Sequence, residues 1–124
     1  MTQKFVVDTS AFLEAGSGIF DTFANGSEVI LPLTVVRELE TKRSDAGLGF
    51  AARQVLAILD ECSATGELSS GVRYKKISIR VELNHVGMDD FPDLMKYDTQ
   101  ADTRILEVAK HLGATLVTKD RPLR

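Results

Sequence analysis

The sequence is poor in the residues that build thiolate metal sites, disulfide frameworks and membrane spans. Its single cysteine, Cys62, excludes an internal disulfide and any multi-cysteine zinc site, and we expect it to be buried on a helix. His85 and His111 are too few for a histidine-rich metal site and are interpreted as structural. The apolar runs are far shorter than the ~20 residues that cross a bilayer, and no secretory signal begins the chain. We therefore expect a cytoplasmic protein that does not bind membranes.

Basic and aromatic residues are also scarce. Lys and Arg total 15 against 18 Asp and Glu, which gives a net charge of −3, whereas proteins that coat nucleic acid by neutralising phosphates are basic. Aromatic residues make up 6% of the chain, which argues against a continuous platform for stacking bases. The 124 residues, 44% of them hydrophobic, fit a single globular domain over residues 1–124. Any function on nucleic acid therefore requires another source of positive charge.

Short apolar segments alternate with helical patterns along the chain. Buried strands are predicted at Phe5–Val7, Val29–Leu31 and Thr115–Val117, and a strand with one solvated face, at an edge or in a hairpin, at Tyr74–Leu83. Helices are predicted around Ile19–Phe23, Leu33–Leu39 with Pro32 in the first turn, Leu48–Cys62, and Ile105–Leu112 ending at Gly113. Asn84–Tyr97 is predicted to be a long loop. This order predicts an α/β fold, a three-layer α/β/α sandwich around a central, mainly parallel sheet.

Four aspartates stand where functional groups gather in such a fold. Asp8 and Asp120 each follow a predicted strand, and the carboxyl ends of parallel strands meet at one edge of the sheet. Each could instead close an Asx turn or cap a helix. Asp98 and Asp102 open the last predicted helix on one face, although Asp102 could equally serve a capping arrangement with Thr99.

A glutamate pair flanks the apolar stripe of the predicted helix after Pro32. Glu38 and Glu40 lie on opposite borders of that stripe at similar angles, so periodicity does not choose which of them faces the aspartates. Glu38 could alternatively form an exposed ion pair with Lys42, one turn further along the helix.

Four stretches in a fixed order resemble the PIN nuclease family across essentially the whole chain: Phe5–Ser10, Val35–Leu39, Asp102–Leu106 and Leu116–Asp120. Further stretches make the chain most similar to the N-terminal PIN domain of PhoH-type proteins: Leu31–Leu33, Glu38–Arg43, Phe50–Gln54, Arg80–His85 and Lys119–Arg124. In those proteins the domain precedes an ATP-hydrolysing, helicase-like domain, whose phosphate-binding loop is absent here. The resemblance thus implies the N-terminal part of a longer chain, with single-stranded RNA and that ATPase domain as partners.

The resemblance also implies roles for individual residues. The acidic cluster that binds metal and catalyses cleavage would consist of Asp8, Glu38, Asp102 and Asp120. Supporting residues that orient carboxylates or a water molecule would be Asp98, Thr9, Ser10 and Thr118. Apart from the resemblance, the RNA backbone around the cleft could be held by Lys42, Arg43, Arg53, Arg104, Lys119 and Arg121, although each of these charges taken singly is more typical of a solvated surface.

The chemistry of four carboxylates agrees with that assignment. Such a cluster requires a cation, and ligands that are all oxygen favour Mg²⁺ or Mn²⁺ over zinc. One or two such ions would activate a water molecule, stabilise the leaving oxygen and reverse the field that repels phosphate. The sequence therefore predicts a divalent-metal-dependent endoribonuclease that hydrolyses phosphodiester bonds of single-stranded RNA.

Other interpretations remain open at this point. One is a non-catalytic RNA-binding or regulatory module of a PhoH-type ATPase. Phosphotransfer through Asp8, as in haloacid-dehalogenase-like enzymes, is disfavoured because Ser10 stands where those enzymes carry a second aspartate. A homo-oligomer is also an option, to which Phe12, Ile19 and Phe20, expected to be exposed, could contribute, although the sequence does not locate an interface.

Overall fold

The computed structural model describes residues 3–83, 105 and 108–118, which form one sheet and the helices around it. The strands are β1 Lys4–Val7, β2 Glu28–Pro32, β3 Val72–Tyr74, β4 Ile77–Glu82 and β5 Thr115–Val117. The α-helices are α1 Thr9–Ala15, α2 Leu33–Lys42 and α3 Gly49–Ser63, and a 3₁₀ helix covers Gly16–Thr22. Residues 105 and 108–112 are also helical.

The sheet has the strand order β3-β4-β2-β1-β5. Strands β1, β2, β4 and β5 are parallel, with Val6 opposite both Ile30 and Leu116, and only β3 runs antiparallel, along β4. The predicted α/β fold with a mainly parallel sheet is therefore confirmed. Because β1 and β5 are neighbours, the carboxyl ends of the first and last strands meet.

Helices cover both faces of this sheet. The connections from β1 to β2 and from β2 to β4 move in one direction across the sheet, whereas the connection from β4 to β5 returns to the opposite edge. Since such crossovers are right-handed, α1 to α3 lie on one face and helical residues 108–112 on the other. The ring of Phe23 packs 4.9 Å from that of Phe5, and Phe20 lies 6.0 Å from Tyr74, which places the first helices on the face that carries Phe5 and Tyr74. The sheet and the helices on its two faces therefore form the three layers of the predicted α/β/α sandwich.

The core explains one expectation that is wrong. Phe12, Ile19 and Phe20 are buried, not exposed, so they offer no surface for an oligomer. The chain enters α1 directly after β1 and then turns into the 3₁₀ helix, which brings the rings of Phe12 and Phe20 within 5.5 Å of each other. Burying side chains of this size is worth roughly 1.5–3 kcal/mol each, which accounts for their position inside.

Other local predictions are confirmed or corrected in detail. The strand expected at Tyr74–Leu83 is a hairpin, β3 and β4, whose turn contains Lys75 with a φ of 55°. Pro32 ends β2 and precedes α2 instead of lying in its first turn. Cys62 is buried on α3 as expected, and this burial raises the pKa of its thiol. The predicted loop Asn84–Tyr97 lies outside the described residues.

The last helix ends where the sequence predicts. Gly113 adopts a φ of 65°, and the backbone N–H of Ala114 donates to the carbonyl of Ala109 at 2.9 Å, which closes the helix before β5 begins. Within the part of the chain that the structure describes, no helix combines the length and the apolar character that crossing a bilayer requires.

Candidate functional site

Asp8 lies at the carboxyl end of β1 and begins α1. Its Oδ1 accepts hydrogen bonds from the backbone N–H of Ala11 at 3.0 Å and from the hydroxyl of Ser10 at 2.8 Å. Its own backbone N–H donates to the carbonyl of Val117 at 3.0 Å. Asp8 therefore does cap a helix, and the same contacts hold its buried carboxylate rigidly at the edge of the sheet.

Ser10 links the ends of the first and last strands. Its hydroxyl lies 3.2 Å from that of Thr118, the residue that follows β5, as well as 2.8 Å from Asp8. The parallel register that pairs Val7 with Val117 brings these groups together. Ser10 thus contacts the carboxylate of Asp8 directly, and Thr118 contacts Ser10; their roles at the site remain a prediction.

Glu38 reaches the same region from α2. The hydroxyl of Thr9, the first residue of α1, donates to Glu38 Oε1 at 2.5 Å. Among the described residues, no ion pair joins Glu38 to Lys42, so that alternative is not what the structure shows.

Glu40 has different surroundings, although it lies only two residues further along the helix. It is exposed and borders a surface groove that Leu56 and Leu83 also line. The structure therefore separates two glutamates that periodicity left equivalent, and it brings Glu38 to the residues next to Asp8.

The rest of the predicted cluster lies outside the described residues. This applies to the predicted ligands Asp102 and Asp120, to the supporting Asp98, and to the cationic Arg104, Lys119 and Arg121. Over residues 3–83, 105 and 108–118, no group of three or more His, Cys, Asp or Glu side chains could hold a metal ion. Of the four predicted ligands, the described residues include Asp8 and Glu38. Asp8 directly precedes Thr9 in the chain, and Glu38 accepts a hydrogen bond from the Thr9 hydroxyl.

Three of the predicted RNA-contacting cations lie around the turn between α2 and α3. Lys42 is the last residue of α2, and the exposed Arg43 follows it. Arg53, in the second turn of α3, donates from Nη1 to the carbonyl of Arg43 at 2.6 Å. These three residues therefore lie around the turn at the far end of the helix that carries Glu38, where the Arg53 side chain contacts the backbone of Arg43.

A further carboxylate at this edge of the sheet was not singled out from the sequence. Glu82 ends β4 and is buried, and Arg80 Nη1 lies 2.8 Å from its Oε1 while Arg80 Nε lies 2.8 Å from Glu28 Oε1. Burial lowers the pKa of Arg80, but the hydrogen bonds to Glu28 and Glu82 outweigh it, so the pKa is raised overall. Glu82 is thus ion-paired with an arginine that it shares with Glu28, which sets this carboxylate apart from Asp8 and Glu38, for which no ion pair occurs among the described residues. The sequence signal for this ion pair is the two-residue spacing of Arg80 and Glu82 along β4, which places both side chains on the same face of the sheet.

The fold agrees with the family whose model matches this chain. The chain belongs to the PIN domain family, whose model matches residues 5–124. Members of this family are generally nucleases and commonly use divalent metal ions.

Two curated relatives are similar over almost the whole chain. Protein PhoH2 of Thermobispora bispora is 39% identical over an alignment 129 residues long, gaps included, which covers 99% of this chain. Protein PhoH2 of Mycolicibacterium smegmatis is 39% identical over an alignment 130 residues long, gaps included, which covers 98% of this chain. The match covers 29% of the length of each relative, so the chain corresponds to one part of a longer protein in both.

Proposed function

We propose that this chain is a divalent-metal-dependent endoribonuclease domain that hydrolyses phosphodiester bonds of single-stranded RNA. The observation that carries the proposal is the way two acidic side chains are held at the sheet edge. Asp8 is fixed by its neighbours in α1, and Glu38 is fixed by Thr9, which is 29 residues away in the sequence. Membership of a family of nucleases supports the same conclusion.

The oxygens of these two carboxylates suit a hard metal ion. All hydrogen bonds that they accept from described residues go to Asp8 Oδ1 and Glu38 Oε1, which leaves Oδ2 and Oε2 for coordination. Hydroxyl donors that orient a ligating carboxylate are a usual feature of metal sites. Because the donors are oxygens, Mg²⁺ or Mn²⁺ fits this site better than zinc. We propose that Asp102 and Asp120 complete the site for one or two ions.

The acidic residues would bind the metal ion, and their hydroxyl neighbours would orient them. Asp8, Glu38, Asp102 and Asp120 hold the cation, which when bound supplies the positive charge that attracts the scissile phosphate, activates a water molecule and stabilises the leaving oxygen. Thr9 and Ser10 keep the first two carboxylates in place, so little reorganisation is needed as RNA binds. Asp98 and Thr118 would support the remaining ligands.

The longer relatives suggest where this chemistry operates. Because the chain matches 29% of each PhoH2 protein, we propose that it acts within a longer chain, beside the ATP-hydrolysing, helicase-like domain of PhoH-type proteins. That domain would deliver single-stranded RNA to the acidic site.

Substitution of Asp8 tests the proposal directly. Asp8→Asn keeps an oxygen that can cap α1 but removes the charge, so we expect an intact fold and a loss of Mn²⁺-dependent cleavage of labelled single-stranded RNA of about 100-fold or more. Asp60→Asn, an exposed aspartate of α3, is the matched control and should cleave normally. Cleavage by Asp8→Asn at the wild-type rate would disprove the assignment.

Metal binding can be measured without activity. We expect Mn²⁺ to raise the melting temperature of the wild-type chain and to raise that of Asp8→Asn less, since the variant has lost one ligand. A chain that binds RNA but cleaves none under any metal would favour the non-catalytic RNA-binding or regulatory module instead.

A further inference from the structure

Two exposed apolar residues belong to the same stretch of chain as the three cations, at the turn between α2 and α3. Phe50 is 66% exposed and Leu48 is 38% exposed. Leu83, at 52%, is the other large hydrophobic residue that is exposed within the described ranges, and it lies elsewhere, after β4. We call Lys42, Arg43, Leu48, Phe50 and Arg53 the Phe50 patch.

The backbone beneath the Phe50 patch is held by several hydrogen bonds. The side chain of Asp45 accepts hydrogen bonds from the backbone N–H groups of Gly47 at 2.8 Å and Leu48 at 2.9 Å. The backbone carbonyl of Asp45 accepts a third from the backbone N–H of Gly49 at 2.9 Å. The guanidinium of Arg53 closes the turn on the Arg43 carbonyl. The backbone that carries Phe50 is therefore held in place by the protein itself.

Gly49 brings the two helices unusually close. A Cβ at this position would lie 2.7 Å from the carbonyl oxygen of Arg43, so only glycine lets α3 begin directly against the end of α2. Phe50, in the first turn of α3, therefore follows directly on the residue that abuts the Arg43 carbonyl, and it precedes Arg53 by three residues, which is the spacing of neighbours on one helix face. Binding to such a preorganised surface costs little ordering entropy.

We propose that Phe50 stacks on a base of the bound single strand while Arg43 and Arg53 hold the phosphates beside it. This inference rests on the proposed function and adds to it a site for nucleotides away from the cleaved bond. An aromatic ring flanked by cations is the chemistry that recognises single-stranded nucleic acid without regard to sequence. In a chain with a net charge of −3, this turn combines positive charge with an exposed ring.

The distance to the acidic residues fits one continuous strand. Glu38 and Arg43 are five residues apart, which corresponds to about 8 Å along the axis of α2. Phosphates of one strand are spaced by about 3.4 Å or more. A strand cut near Glu38 would therefore reach the Phe50 patch within a few nucleotides.

The test is to truncate the ring and to compare long with short substrates. For a labelled RNA of a dozen nucleotides, we expect Phe50→Ala to raise KM about tenfold with kcat nearly unchanged, and Phe50→Trp to restore the wild-type KM. A dinucleotide, which is too short to reach the ring, should be cleaved equally by all variants. Leu83→Ala, which truncates another exposed apolar side chain, is the matched control and should behave as wild type.

Fluorescence anisotropy with Ca²⁺ in place of Mn²⁺ separates this inference from the proposed function. Binding that Phe50→Ala weakens about tenfold supports stacking, even if the wild-type chain cleaves no RNA and the nuclease proposal fails. Active cleavage with a KM that does not change in Phe50→Ala overturns the stacking alone. Full rescue by Phe50→Leu would also overturn it, as would a dimer that Phe50→Ala dissociates without any change in RNA affinity.

Discussion

Thr9 Oγ1 lies 2.5 Å from Glu38 Oε1 and joins the first residue of α1 to the middle of α2. Asp8, directly before Thr9, begins the same helix and is held by Ser10 and Ala11. Residues at the start of α1 thus hold both acidic side chains, although Asp8 and Glu38 come from distant parts of the chain. If they are metal ligands, as we propose, this contact determines the direction in which one of them points.

Replacement of Thr9 should affect activity more than stability. Thr9→Val keeps the shape of the side chain but removes the donor, and Glu38 would then lose its fixed orientation, so we expect cleavage to fall by about 10- to 100-fold. Thr9→Ser retains the hydroxyl and should keep most of the activity. Initial rates measured over a series of Mn²⁺ concentrations check this, because the loss in Thr9→Val should include weaker metal dependence. Equal rates for the two variants would show that the contact with Glu38 does not matter for function.

The two glutamates of α2 provide a matched pair of variants. Glu38→Gln should abolish cleavage, whereas Glu40→Gln should leave it unchanged, since Glu40 is exposed and faces the groove that Leu83 lines. The two substitutions change the charge of the chain equally, so a difference between them reports position alone. Cleavage assays on the same RNA, with circular dichroism to confirm folding, provide the measurement. Loss of activity in Glu40→Gln alone would contradict the assignment.

A methyl group at Gly49 should destabilise the fold. Its Cβ would lie 2.7 Å from the backbone oxygen of Arg43, which cannot move aside without shifting the end of α2, so Gly49→Ala should cost about 1–3 kcal/mol. Gly18 has no atom within 4 Å of an added Cβ, and Gly18→Ala should be neutral or stabilising by up to ~1 kcal/mol. Urea denaturation of both variants checks the prediction, which fails if they are equally stable.

The turn between α2 and α3 should weaken in acid. Hydrogen bonds from the backbone N–H groups of Leu48 and Gly47 lower the pKa of Asp45 below its ordinary value. A carboxyl group with a lowered pKa in the folded state stabilises the protein above its unfolded pKa, about 3.9, and that contribution disappears as the pH falls through the folded value. We therefore expect Asp45→Ala to melt below the wild type at neutral pH and the difference to shrink below about pH 4. Thermal melts over this range check it, and a gap that widens in acid would contradict the cause given.

Several parts of the structure follow from local sequence patterns. The apolar runs Phe5–Val7 and Val29–Leu31 predict β1 and β2, and the apolar face of Leu48–Cys62 predicts α3 to within a residue at each end. The short helix α1 was not predicted, because Thr9 and Ser10 are typical of turns as well as of helix starts. The burial of Phe12 and Phe20 could not be predicted either, since it depends on how α1 and the 3₁₀ helix pack against each other.

The sequence by itself determined most of the strands and helices, though not α1 or the β3–β4 hairpin, and it predicted the mainly parallel sheet, because hydrophobic periodicity and strand-to-helix alternation are local properties. It also placed Asp8 at a strand end, where the topology leads any α/β domain to collect its polar groups. Only the tertiary structure distinguished Glu38 from Glu40 and brought the start of α3 against the end of α2. Both outcomes depend on contacts between different helices, Thr9 with Glu38 and Arg53 with the Arg43 carbonyl, which packing creates and periodicity does not encode.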